Sequence, residues 1–198
     1  MGAIIQIANL LIQTLFTLYL LAVLLRFILQ LSRADFYNPI SQFLVKVTTP
    51  LLQPLRRVIP GAMGLDIAAI VLAVALHIIA TVLLLLVNDL SLNNYALLPL
   101  WAVLGCLNLA VKVYFIAIIA SIVLSWVAPG SYNPGILLLH QLTEPVMAPF
   151  RKIIPPMGGL DLSPIFVIIA IQIVQIIISS LGASAGITWR VAPLVIGF

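Results

Sequence analysis

A block of this chain is written twice, 95 positions apart and without a gap. Tyr37-Asn38-Pro39 returns as Tyr132-Asn133-Pro134. Pro50, Pro54, Arg56, Pro60 and Gly64-Leu65-Asp66 return as Pro145, Pro149, Arg151, Pro155 and Gly159-Leu160-Asp161. Between Tyr37 and Asp66, 13 of 30 positions are identical. Most are Pro, Gly, Asn, Arg and Asp, which fix backbone geometry or carry charge, and not the apolar residues that any two membrane segments share. The fold must therefore consist of two copies of one unit, and the part held in common is a connector.

Apolar runs flank each connector: Ile4–Leu31 and Leu65–Val87 in the first copy, Leu97–Val127 and Leu160–Leu181 in the second. About 20 apolar residues, rising about 1.5 Å each, cross a hydrocarbon core of about 30 Å. The first and third runs exceed that length and should tilt or project into the interface. Composition agrees, because 64% of the chain is apolar and only 7% is charged, against about 25% in soluble domains. Nine cations and five anions cannot cover a water-soluble surface of this size. The expected fold is an all-α membrane protein of four transmembrane helices. They form two parallel two-helix repeats, each with an interfacial, amphipathic, Pro-rich connector. Residues 1–95 make the first repeat (connector 32–64), residues 96–181 the second (connector 128–159), and residues 182–198 an apolar tail too short and Gly-rich to read as a span. No basic residue precedes the first run, which is also too long for a cleaved signal, so it reads as a retained helix.

Charge gives the orientation. The first connector carries Arg33, Lys46, Arg56 and Arg57, and the second Arg151 and Lys152. The link between repeats carries only Asp89, and the tail only Arg190. Cation bias places both connectors in the cytoplasm and both termini on the periplasmic side. Two spans per repeat keep the repeats in one orientation, related by a pseudo-twofold axis along the membrane normal.

In each connector, Asn38 and Asn133 are positioned to cap a helix that begins with Pro39 or Pro134. Ile40, Phe43, Leu44, Val47 and Leu51 then fall on one helical face, with Ser41, Gln42, Lys46 and Thr48 opposite, an interfacial pattern. Leu138, Leu139, Leu142 and Val146 repeat the apolar face. Pro50 and Pro145 are expected to break the run into two short helical pieces, since proline removes an amide and disfavours helix before it. Gly64 and Gly159 permit the turn back into the membrane. Asp66 and Asp161 suit the positive end of the next helix, and Ser163-Pro164 adds a cap and a first-position proline in the second repeat. Ala68-Ala69 stands there in the first, so Asp66 must cap alone. The connector reads as a stiff turn that sets topology. A compatible second reading makes Lys46, Arg56, Arg57, Arg151 and Lys152 a docking surface for anionic lipid or a protein partner.

Polar residues also stand inside the spans. Under the same shift Gln13 matches Asn108, Thr17 matches Lys112, and His77 matches Gln172. Gln13/Thr17 and Asn108/Lys112 share helix faces at i, i+4. Two readings stand: polar contacts between helices, worth about 0.6–2 kcal/mol each, or a polar midplane site or path. Lys112 is the sharpest pointer, because a charge at mid-span costs about 2.5–3.5 kcal/mol on insertion scales. Arg26, near a span end, is expected to reach for the headgroups. No second histidine has ligand spacing with His77, and the one cysteine, Cys106, lies in an apolar run. No metal, cofactor or nucleic-acid partner is therefore expected. No nucleophile–base pair, phosphate loop or paired carboxylate is present, so no enzyme is expected.

Leu124-Ser125-Trp126, Tyr132-Asn133-Pro134, Glu144-Pro145, Arg151-Lys152-Ile153-Ile154-Pro155-Pro156 and Gly158-Gly159-Leu160-Asp161-Leu162-Ser163-Pro164 together resemble the signature of the YggT family. The first repeat keeps Arg26, Tyr37-Asn38-Pro39, Pro50, Pro54, Arg56-Arg57 and Gly64-Leu65-Asp66. It departs from the signature at Gln30-Leu31 and Ala68-Ala69. The resemblance implies a small, multi-pass protein of the bacterial inner membrane. It also implies links to osmotic tolerance and the neighbourhood of division genes, or in plastid relatives to nucleoid distribution and cytochrome assembly. No catalytic residue follows from it. A membrane scaffold or assembly factor, alone or as a homo-oligomer, is the leading expectation. An oligomeric channel or transporter component is the alternative.

Overall fold

The computed structural model describes residues 2–61, 64–90, 95–154, 161–188 and 191–198. Its six α-helices are α1 (Ala3–Leu31), α2 (Pro39–Val58), α3 (Ile67–Val87), α4 (Leu98–Val127), α5 (Pro134–Ile153) and α6 (Ser163–Ser184). Single 3-10 turns lie at Tyr95–Leu97 and Ala192–Leu194. Helices α1, α3, α4 and α6 are long and apolar enough to cross a membrane. The spans follow the expected runs closely. The last helix runs on to Ser184, through Gly182, which the sequence suggested would end it. The expected start of that run at Leu160, and Gly159 with it, lie outside the described residues.

Within each repeat the two spans pack together and the connector helix lies against both: α2 on α1 and α3, α5 on α4 and α6. Ala68, Ala69, Ala73 and Ala80 of α3 are all fully or almost fully buried. Small side chains let helix backbones approach closely where the surrounding lipid offers no hydrophobic drive. Between repeats, α4 packs on α3 and more lightly on α1, whereas α1 and α6 make no comparable contact. Symmetry would pair α1 with α6 as α4 pairs with α3. The packing between the repeats' spans therefore does not follow a pseudo-twofold relation.

Each connector is one 20-residue helix, not two pieces. Pro50 and Pro54 lie inside α2, and Pro145 and Pro149 inside α5. Threonine hydroxyls just ahead of the first proline bond one turn back. The Thr48 hydroxyl donates to the Leu44 carbonyl at 2.7 Å, and the Thr49 hydroxyl donates to that of Val45. Thr143 repeats the device on Leu139 at 3.0 Å. The amides missing at Pro50 and Pro145 would have met the Lys46 and Gln141 carbonyls four residues back, so these hydroxyl bonds brace the turn before each proline and do not replace the lost bonds.

Arg26 is buried, not extended to the headgroups. Its guanidinium donates to the Thr48 hydroxyl at 2.7 Å and to the Thr49 hydroxyl at 3.3 Å. The proline region of α2 is thus fastened to α1.

Candidate functional site

Two sets of polar residues stand out, one at the connectors and one at the opposite end of the bundle. At the connectors, Asn38 Oδ1 accepts from the Ile40 amide at 2.9 Å and Asn133 Oδ1 from the Gly135 amide at 2.8 Å. Pro39 and Pro134 hold the first helical positions. The two caps also meet, because Asn38 Nδ2 donates to the Pro134 carbonyl at 2.7 Å. Nearby, Gln141 Oε1 accepts from the Asp35 amide at 2.9 Å. The two connectors therefore form one continuous platform.

An ion pair closes each connector onto its next span. Arg56 grips both oxygens of Asp66, whose carboxylate also accepts from the Ala69 amide at 3.3 Å as the cap of α3. Gly64, which adopts φ +78°, makes the turn between them. In the second repeat Arg151 donates to Asp161 at 2.9 Å and to Glu144 at 2.6 Å. Ser163 was expected to cap α6 but sits at its first position and makes no capping bond. Asp161 accepts from the Ser163 amide at 2.9 Å instead. A carboxylate two residues earlier reaches the open amide first, leaving Pro164 as a favoured early-helix residue. Partial burial works against the Asp161 charge, but the bonds from Ser163 and Arg151 hold its carboxyl below the usual carboxylate range.

The recurrence of Arg and Asp ten residues apart in both copies was the signal for this pairing, and reading the two residue types separately missed it. Of the predicted lipid or partner contacts, Arg56 and Arg151 are therefore occupied within the fold. Lys46, Arg57 and Lys152 are exposed and make no ion pair among the described residues.

The tail decides the fate of the mid-span residues. It turns back into the bundle, where Ile187, Leu194, Val195 and Ile196 are buried. Gln13 Nε2 donates to the Pro193 carbonyl at 2.7 Å. His77 Nε2 lies 2.8 Å from the Ile196 carbonyl, which makes that nitrogen the protonated one. Asn108 Nδ2 and Lys112 Nζ both donate to the Gly197 carbonyl, at 2.7 and 2.6 Å. Trp101 Nε1 donates to Ala185 at 2.8 Å. A chain segment without regular hydrogen bonding is tolerated at membrane depth only where protein supplies the partners. Here α1, α3 and α4 supply them.

Glycine makes the room. A Cβ at Gly105 would overlap the His77 ring and stand 2.5 Å from the Ile196 carbonyl. A Cβ at Gly182 would stand 2.6 Å from the Phe198 ring, which explains a glycine inside α6. Gly197, at φ +100°, packs its backbone on that of Gly105.

The structure thus brings Gln13, His77, Asn108 and Lys112 together on one segment. It does not bring in their repeat counterparts Thr17 and Gln172. Thr17 is half-buried, and Gln172 is exposed on the outer face of α6. Near the outer ends of α1 and α3, Asn9 and Asn88 exchange bonds of 3.0 and 2.8 Å. Among the described residues no cluster of His, Cys, Asp or Glu could hold a metal.

Two helical hairpins, each closed by an Arg–Asp pair and joined through their connectors, define a duplicated membrane-helix protein. The family model described as CCB3/YggT matches residues 5–87 and again residues 100–182. The chain is 50% identical over 177 residues to an uncharacterised protein of Pseudomonas aeruginosa, covering 88% of this chain and 90% of that one. It is 34% identical over 169 residues to the protein YggT of Escherichia coli K12, covering 83% and 85%. A shorter protein of Porphyra purpurea is 34% identical over 70 residues, 35% of this chain but 74% of its own length, close to a single repeat. No solved structure matches. The chain belongs to the CCB3/YggT family, and residues 183–198, which include the buried tail, lie beyond the matched repeats.

Proposed function

We propose that this protein is a non-enzymatic scaffold or assembly factor of the bacterial inner membrane, serving envelope, osmotic-stress or division processes. In this reading the connectors face the cytoplasm and both termini the periplasm. The observation that carries it is the division of labour among polar groups. Gln13, His77, Asn108 and Lys112 each bond a tail carbonyl, and His77 is only 1% exposed, which supports a packing role for them over a path. Lys46, Arg57 and Lys152 are exposed on the connector platform and make no ion pair among the described residues. That platform is suited to anionic headgroups or to an acidic face of a membrane or cytoplasmic protein partner.

The test is rescue of osmotic-shock survival in a bacterium lacking its own YggT, with membrane levels matched. Lys46→Ala, Arg57→Ala and Lys152→Ala combined should abolish rescue, while His77→Leu with Lys112→Leu should retain it. The reverse pattern would defeat the scaffold reading and favour an oligomeric channel or transporter component.

A further inference from the structure

A cavity of about 180 Å³ opens between α4, α5 and α6, walled by Val111, Tyr114, Val146, Val167, Ile171 and Val174. Apart from Tyr114 its walls are aliphatic. The first repeat has Phe16, Leu51, Leu72 and Ile79 where the second has Val111, Val146, Val167 and Val174. Each of the four is larger, and Phe16 and Leu72 belong to one packed cluster with Leu76. At the positions that wall this cavity the first repeat thus carries bulkier side chains, of which Phe16 and Leu72 are packed inward while Leu51 and Ile79 are exposed. Such a void forfeits dispersion contacts unless something occupies it.

Depth indicates what occupies it. At about 1.5 Å per residue, Val167 and Val174 lie roughly 6 and 16 Å below the start of α6. That range matches one leaflet of a hydrocarbon core about 30 Å thick. The mouth is bordered by the interfacial helix α5 through Val146. Six residues further along α5, Lys152 is exposed with no ion-pair partner among the described residues. A lysine stem lies along apolar surface while its ammonium meets phosphate.

We infer that the second repeat holds one acyl chain of an anionic phospholipid, drawn from the leaflet that contains the connectors, with Lys152 at its phosphate. This rests on the scaffold reading and deepens it, by giving the lipid contact a place in one repeat only. It also gives the unequal repeats a division of roles, the first packed for structure and the second open to lipid.

The experiment is native mass spectrometry of the full chain in detergent, incubated with phosphatidylglycerol, phosphatidylcholine or free palmitate. The unaltered chain should retain one phosphatidylglycerol, at least fivefold over either alternative. Val111→Phe, which installs the first repeat's residue, should cut that retention at least fivefold. Lys152→Ala should bring phosphatidylglycerol down to the phosphatidylcholine level. Val146→Leu is the milder filling variant and decides the matter if Val111→Phe does not fold. Undiminished retention in a folded filling variant overturns the inference, as does equal retention of phosphatidylcholine or palmitate by the unaltered chain. Lost retention with intact osmotic rescue would leave the lipid site standing and show that the proposed function does not act through it.

Discussion

Asp66 and Asp161 do the same work in the two repeats, whereas His77 and Gln172 do not. At the connector end three devices occur twice: the Asn-Pro cap, the threonine hydroxyl bonded one turn back, and the Arg–Asp closure. At the opposite end the devices occur once. His77 holds the tail, and its counterpart Gln172 faces outward from α6. The difference follows from supply. Both repeats have a connector, but only the second is followed by a tail. Polar side chains in the first repeat and in α4 have been drawn to that single segment, and symmetry is lost wherever it is bound. A duplicated membrane protein therefore keeps its symmetry where each copy satisfies itself and gives it up where one extra segment must be satisfied.

The comparison breaks most readily at Gly105. Gly105→Val should expel the tail and lower stability by about 3 kcal/mol, combining overpacking with the loss of the partner of a buried ring. Denaturant unfolding in micelles, with proteolysis of the tail as a second readout, checks this. An unshifted midpoint would show that the seat is not closely packed. Next in size is the paired test of the echoed positions. His77→Leu should cost about 2 kcal/mol by leaving the Ile196 carbonyl without a donor, and Gln172→Leu should stay within about 0.5 kcal/mol. Equal costs would mean that the two ends are not so different.

The smallest effects sharpen the symmetric end. A double-mutant cycle on Arg56 and Asp66 should give a coupling of about 1–2 kcal/mol, because Asp66 is only 6% exposed. The cycle on Arg151 and Asp161 should give less than about 1 kcal/mol, since side-chain exposures of 40% and 35% leave that pair screened. The Asp161 carboxyl is held below its unfolded value, near 3.9. Its contribution should therefore be complete above about pH 4 and fade as pH falls through the depressed value. The stability gap between the unaltered chain and Asp161→Asn, followed from pH 7 downward, should narrow only in that acidic range.

Much of the connector end was readable in the residues because its causes are local. Asn38 bonds two residues ahead and Asp66 three, whereas the Arg56–Asp66 pair, ten residues apart, was missed. The continuity of α2 through Pro50 was not readable from proline alone, and the clasp of Arg26 from another helix on Thr48 and Thr49 has no local signal. The tail seat was legible only as unexplained polarity. Gln13, His77, Asn108 and Lys112 stood out in apolar runs, but nothing near them in sequence indicated a partner. An apolar, Gly-rich tail also looks like a linker. Gly105 and Gly182, each interrupting an apolar helix, were the one trace that another chain segment comes close there.

The tail seat also imposes an order of manufacture. Gln13 is made 180 residues before Pro193, His77 is made 119 before Ile196, and Lys112 is made 85 before Gly197. At about 5–20 residues per second, Gln13 waits roughly 9–36 s for its acceptor. Through that interval the inserted spans carry donors with nothing to receive them. The insertion machinery must therefore shelter a half-built bundle until residues 193–197 have been made.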